Sequence, residues 1–396
     1  MHATHRLRGG ATLAALTALA LGLTACGSDD SDEPDDQSAP ADSSSTTVEE
    51  PIVLTYDGGL QILDGRTLEV ARDIPLDGFN RVNPAGDDHH VLVSTATGFR
   101  VLNATAAELT EDEFPGEKPG HVVRHAGSTV LFADGSGEVT VFDPEALGEG
   151  LPETDTHTTA APHHGVAVAL ESGELLVTLG TEEERSGAAV LDRDREEVTR
   201  NEECPGVHGE TVAEHETVLV GCENGALIYR DGAFVKVESP TAYGRIGNVA
   251  GSEESPVVLG DYKQDPDAEL ERPEQVSLID TATGELELVD LGTSYTFRSL
   301  ARGPHGEALV LGTDGRIHVI DPDTGEVTTD IPVLDAWEEP LEWQQPRPAL
   351  FVRDHTAYVT DPEAREIHAI DIESGEVLAT GALEQAPNEV SGAVGG

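Results

Sequence analysis

From Pro51 onward, short apolar runs alternate with polar turns along almost the whole chain. Within the runs the hydrophobic positions recur with the period of two expected of half-buried strands, and helical spacing is nearly absent. One punctuation mark repeats: an apolar run ends in Asp or Asn, often with Gly-Glu soon after. It occurs as LQILD at Asp64, FRVLN at Asn103, VTVFD at Asp143, AAVLD at Asp192, ALIYRD at Asp231, VSLID at Asp280, IHVID at Asp321 and IHAID at Asp371. Neighbouring marks stand between 39 residues apart (Asp64 to Asn103) and 50 apart (Asp321 to Asp371). That is the repeat length of a four-stranded propeller blade.

Each unit has a further short strand before its mark, as in TVLFAD, LLVTLG, TVLVGC, ALVLGT and TAYVTD. Gly turns such as Asn224-Gly225 and Asp314-Gly315 suit tight hairpins between them. After the mark, segments such as TGEVTTDIPV and SGEVLATGAL supply an outer strand. Eight marks predict an all-β chain, a β-propeller of eight four-stranded blades, or seven if one unit is an insertion. The first unit, Ile52 to Ile74, has only three strands. NEVSGAV, Asn388 to Val394, reads as the missing inner strand, so the C-terminal strand is expected to close the ring and leave no free sheet edge.

The N-terminus changes the picture. Arg6 and Arg8 precede an apolar stretch of small and aliphatic residues, Ala11 to Ala25, which ends in Leu23-Thr24-Ala25-Cys26. The stretch has the length of a signal-peptide core. Small residues directly before a cysteine resemble a bacterial lipobox, which implies cleavage before Cys26 and lipid on its sulfur. Residues 1–25 are therefore expected to be a lipoprotein signal peptide. Residues 26–50, rich in Asp and Ser and almost without large apolar side chains, are expected to be a disordered tether. Residues 51–396 form the propeller domain. The protein is then extracytoplasmic and anchored to the cell membrane through lipid alone.

The formal net charge of -53 excludes nucleic acid as a partner, because nucleic acid is bound by basic surface. It equally disfavours lying flat on anionic lipid. Three cysteines are present. With Cys26 assigned to lipid, Cys204 and Cys222 remain, and an exported pair favours a disulfide. Metal ligation by the two thiolates with His208 is the alternative.

Most histidines fall at turns or strand starts, among them His89, His90, His125, His215, His305 and His355, or in outer-face strand positions, His318 and His368. All of these read as structural or solvated. His121, His164 and His208 differ. Each follows a proline by two or three residues, at the start of the first strand of a unit. In a propeller that strand lines the central channel, so corresponding positions of neighbouring blades converge. Three imidazoles on one ring suit Zn²⁺, with a carboxylate or water as fourth ligand; imidazole suits Cu²⁺ and Ni²⁺ as well. His163 is adjacent to His164, and alternation along a strand sends the two to opposite faces. His157 is placed to close over the site, and Glu210 to share the face of His208. No GxSxG, HExxH, P-loop or dinucleotide fingerprint competes. Trp337 and Trp343 read as a packed insertion between units seven and eight.

CPGVHGE, the later Gly221-Cys222, and the preceding APHHGVAV and PGHVVRHAG resemble the periplasmic zinc metallochaperones called AztD. The likeness spans Pro51 to the end and is sharpest from Pro119 to Asn224. It implies a β-propeller that accompanies a zinc ABC importer and passes zinc to the importer's solute-binding protein. It further implies that Cys204 and Cys222 are the family's disulfide, and that His121, His163, His164 and His208 bind zinc. One departure stands out: the segment ahead of the domain is rich in Asp and Ser and carries no His-rich run. The resulting expectation is a monomeric, non-catalytic zinc metallochaperone. A metal-free surface scaffold and a metal-dependent, lactonase-like hydrolase are the alternatives.

Overall fold

The structure, a computed structural model, describes residues 47–395. The expected signal peptide, the lipidation site Cys26 and the tether as far as residue 46 lie outside the described residues. Those residues form eight antiparallel four-stranded sheets, seven of them meanders and the first completed by the C-terminal strand, with one parallel strand added to the fifth. Blade 3 runs through Pro119–His125, Ser128–Ala133, Glu138–Phe142 and Thr154–Thr158. Blade 4 runs through Ala167–Ala169, Leu175–Gly180, Arg185–Leu191 and Glu197–Asn201. Blade 5 runs through His208–Ala213, Thr217–Cys222, Asn224–Arg230 and Ala233–Glu238. The other five follow the same plan. All eight punctuation marks sit where the third strand of a blade turns into the fourth.

The turn chemistry explains the mark. Asp64 Oδ1 accepts the backbone N–H groups of Arg66 and Thr67, at 3.0 and 2.9 Å. Asp280, Asp321 and Asp371 cap their own turns in the same way. A short side-chain acceptor that bonds its own downstream backbone fixes the reversal. Asp231 reaches the same end by another route. It and Gly232 both take left-handed conformations, with φ of 49° and 77°, as a two-residue hairpin requires.

The core lies between blades. Eight clusters of buried aliphatic and aromatic side chains are present, each drawing its members from two neighbouring sheets. The fourth strands keep little apolar burial, as in Val70–Pro75 and Val377–Ala382. Middle strands such as Gly59–Leu63 and Ala308–Gly312 are buried throughout, because both faces of a blade pack on a neighbour.

The ring closes as the pattern predicts. Val390–Gly392 pairs with Ile52–Leu54 and completes blade 1. Arg353, in the first strand of blade 8, fastens the junction. Its guanidinium donates to the carbonyls of Glu50 at 2.6 Å, Pro51 at 2.8 Å and Ala393 at 3.2 Å. Packing starts ahead of Pro51, since Val48 is buried against blades 1 and 2.

Arg353→Met should strand two buried carbonyls, of Pro51 and Ala393, and the partly buried one of Glu50 at the closure. At about 1–3 kcal/mol for each buried group left without its partner, the denaturant midpoint should fall clearly. An unchanged midpoint would show that the two chain ends hold each other without this side chain.

Candidate metal centre

Two blades and the connection into the blade between them supply the imidazoles. His121 lies in the first strand of blade 3 and His208 opens the first strand of blade 5. His164 lies just ahead of the first strand of blade 4. The pairing is irregular at both strand-borne positions: register shifts between Pro119 and Val122, and again between His208 and Glu210. Such bulges re-aim a side chain at the rim of a sheet. At the second bulge, Gly209 has φ 75°, and a Cβ there would stand 2.5 Å from the Gly247 carbonyl oxygen. Glycine is required on both counts.

The three rings meet. Their centroids are 5.1 Å apart for His121 and His164, 5.3 Å for His121 and His208, and 4.9 Å for His164 and His208. One nitrogen from each lies within 4.8 Å of the others. The second nitrogen of each ring faces an acceptor. His121 Nδ1 is 3.2 Å from Glu210 Oε2, His164 Nδ1 is 2.6 Å from Asp134 Oδ2, and His208 Nδ1 is 2.5 Å from the Gly247 carbonyl oxygen. A carbonyl can only accept, so His208 carries its proton on Nδ1 and presents a lone pair at Nε2. The Asp134 carboxylate selects the same tautomer for His164.

The two Nε2 atoms lie 2.9 Å apart. At that separation the pair either shares one proton in a hydrogen bond or takes a cation between or beside its lone pairs. An acceptor behind each imidazole is also the usual support of a metal-ligating histidine, fixing tautomer and orientation. Burial, and then the nearby His121 and His164 rings, push the His208 pKa well below the ordinary histidine value, which favours the neutral form that binds metal. The cluster is open on one side, since the His164 side chain is 44% exposed and that of His121 only 19%.

His163 is not among the residues brought together. It points away from its neighbour into the blade, where Nδ1 is 3.0 Å from the Ala161 carbonyl and Nε2 is 3.0 Å from Thr178 Oγ1. With both nitrogens taken and the ring packed on Phe132, it positions the segment that carries His164. His157 does not close over the site. It lies in the outermost strand of blade 3, opposite Val139, where burial and then Arg195 lower its pKa. Glu210 stands behind His121, with Oε2 3.2 Å from Nδ1. Asp134 and the Gly247 carbonyl escaped the sequence reading. Asp134 looks like any turn acid among 76 acidic residues, and a carbonyl carries no sequence signal.

Cys204 and Cys222 form a disulfide beside His208, with Cα atoms 4.9 Å apart. The bridge excludes the alternative in which the two thiols join His208 as ligands. It ties the connection into blade 5 to the end of that blade's second strand. Trp343 packs edge-on against Phe79, centroids 5.1 Å apart, and Trp337 donates to the Gly312 carbonyl, so the insertion between blades 7 and 8 is anchored to the ring.

Comparison with known proteins supports the resemblance read above. No family model matches the chain. The curated zinc chaperone AztD of Citrobacter koseri is 28% identical over 306 residues, covering 74% of this chain and 70% of AztD. The solved structure of apo AztD from the same organism superposes with a TM-score of 0.74 at 23% identity, over 87% of this chain and 98% of that one. A second Citrobacter koseri AztD structure gives 0.73 at 22% identity, with the same coverage. The structures bear on the fold, and the curated sequence carries the family likeness.

In the metal-free protein, NMR titration of the imidazoles should find His208 still neutral as the pH falls through the usual histidine range near 6.5. A midpoint at or above that value would contradict the burial and tautomer assigned to it.

Proposed function

We infer that this AztD-like propeller is a zinc metallochaperone. In this reading it works outside the cytoplasm as a monomer, held to the membrane through lipid on Cys26, and hands zinc to the solute-binding protein of a zinc ABC importer. The observation that carries the reading is the meeting of His164 Nε2 and His208 Nε2 at 2.9 Å, with His121 beside them and an acceptor behind each ring. Likeness to a protein named a zinc chaperone supplies the cargo and the class of activity.

The proposed site is three imidazoles, His121, His164 and His208, with the fourth position left to water or an incoming ligand. That donor set fits Zn²⁺. It also suits transfer better than a closed cage would. A ligand from an acceptor protein can approach on the side of half-exposed His164 and bond the ion before the deeper His208 lets go. The neutral rings keep affinity high at neutral pH without thiolates, which an oxidising compartment would convert to a disulfide. No activated nucleophile is needed for such a role, and the chain is not an enzyme.

In a competitive titration against a chelator, the purified protein should hold one zinc ion tightly, and His164→Ala together with His208→Ala should abolish that binding. Asp134→Asn should retain the ligands and weaken affinity about 10- to 100-fold, as loss of a histidine's supporting acceptor does. Transfer of zinc to the metal-free solute-binding protein should fail with the double variant. Unchanged tight stoichiometry in that variant would overturn the assignment.

A further inference from the structure

His305, His355 and Glu373 form a second convergence of ligand atoms, at the other end of the ring. His305 lies in the turn between the first two strands of blade 7, Tyr295–Arg302 and Ala308–Gly312. His355 lies in the matching turn of blade 8, between Leu350–Arg353 and Thr356–Asp361. Glu373 lies in the last turn of blade 8, between Glu366–Asp371 and Val377–Ala382. In a four-strand meander the first and third turns share one end of the sheet. The beginnings of the first strands, where His121, His164 and His208 gather, lie at the opposite end.

The separations match neighbouring corners of a coordination tetrahedron. His305 Nε2 is 3.4 Å and His355 Nδ1 is 3.2 Å from the same oxygen, Glu373 Oε1. Two ligands at zinc-binding distance in a tetrahedron are separated by about 3.3 Å. One atom from each of the three residues lies within 4.8 Å of the others, and the two rings are edge to face with centroids 5.6 Å apart.

The turns that carry these groups are built. The N–H of Ile372 donates to the carbonyl of His355 at 3.0 Å, which locks the two turns of blade 8 together one residue from Glu373. Asp371 Oδ1 accepts from the Ser374 N–H at 2.8 Å and from its hydroxyl at 2.6 Å. Glu307 holds the backbone of His305 at 3.0 Å. Ordering these backbones in advance lowers the cost of assembling three ligands from two blades.

We infer that His305, His355 and Glu373 form a second divalent-cation site of the zinc class, distinct from the central cluster. It is weaker. All three side chains are more than half exposed. Neither ring has an acceptor on its second nitrogen among the described residues, in contrast to each of the central imidazoles. Two histidines, one carboxylate and open positions give a borderline donor set that takes Zn²⁺ in preference to Ca²⁺ or Mg²⁺, which want oxygen shells. An open, weaker site on the face away from the central cluster is suited to picking up ions that the acidic surface concentrates.

The test is calorimetric titration of the full-length protein with Zn²⁺ alone, in four forms: unaltered, H164A/H208A, H305A/H355A, and all four substitutions together. Circular dichroism and thermal melting verify that each form folds. The unaltered chain should take up a second, weaker equivalent that H305A/H355A loses while its tight equivalent stays. The H164A/H208A protein should keep the weak equivalent, and the fourfold variant should bind none. A weak equivalent that survives H305A/H355A, or its absence from the unaltered chain, overturns the second site. A tight equivalent that survives H164A/H208A instead counts against the central assignment alone, so the two failures are distinguishable.

Discussion

Pairing of Val390–Gly392 with Ile52–Leu54 decides whether this chain has a ring at all. Each blade buries its faces only against neighbours, and the cluster between blades 8 and 1 unites the two ends of the sequence: Ile52, Leu54 and Leu63 from one, Tyr358, Ile367 and Ala369 from the other. Without it, two hydrophobic sheet faces and a row of backbone groups would open to water. The closing strand is short, three residues, and Arg353 ties both of its neighbours' backbones to blade 8. The most remote contact in sequence therefore sets the positions of all the others.

The central cluster owes its geometry to the packing of three successive blades. Positions about one repeat apart in sequence face one another because successive first strands stand side by side around the axis. Each imidazole is then aimed by an acceptor of its own: a carboxylate from the same sheet end for His164, a carboxylate from blade 5 for His121, a main-chain carbonyl for His208. In a chain with 76 acidic residues, the acids near the rings act behind them rather than as a diffuse negative surface. The proposed ion meets neutral nitrogen first, and the negative charge stabilises it from the second layer.

Much of this was legible in the sequence, for identifiable reasons. The Asp-ended strand recurs because most turns after a third strand use a short acceptor, so blade count could be read from spacing, and closure from the three-strand first unit and the NEVSGAV segment. The convergence of His121, His164 and His208 followed from their common place at the start of a repeat. The contrast between His163 and His164 was also visible as alternation, although the family resemblance pointed to both; His163 turns to the buried Thr178 and His164 to the cluster. Other features depend on pairings that no local pattern encodes. Asp134 reaches His164 across a blade interface. His157 belongs to a strand that the sequence suggested was a loop. His305 and His355 were read as structural or solvated residues near turns or strand starts, and nothing in either segment reveals that neighbouring blades set them beside each other and beside Glu373.

The disulfide between Cys204 and Cys222 links chemistry to timing. It lies four residues before His208, and the main chain on either side of it bonds to Ser186, Arg185 and Ile246, so it braces the passage from blade 4 through blade 5 towards blade 6. A newly made chain holds two thiols there, and the segment that presents the deepest imidazole lacks its brace. Oxidation then adds a covalent tie to a backbone that the ladder already pairs at His208 and Gly221. The sulfur bridge thus makes maturation, rather than synthesis, the moment at which the proposed cargo pocket acquires its final stiffness.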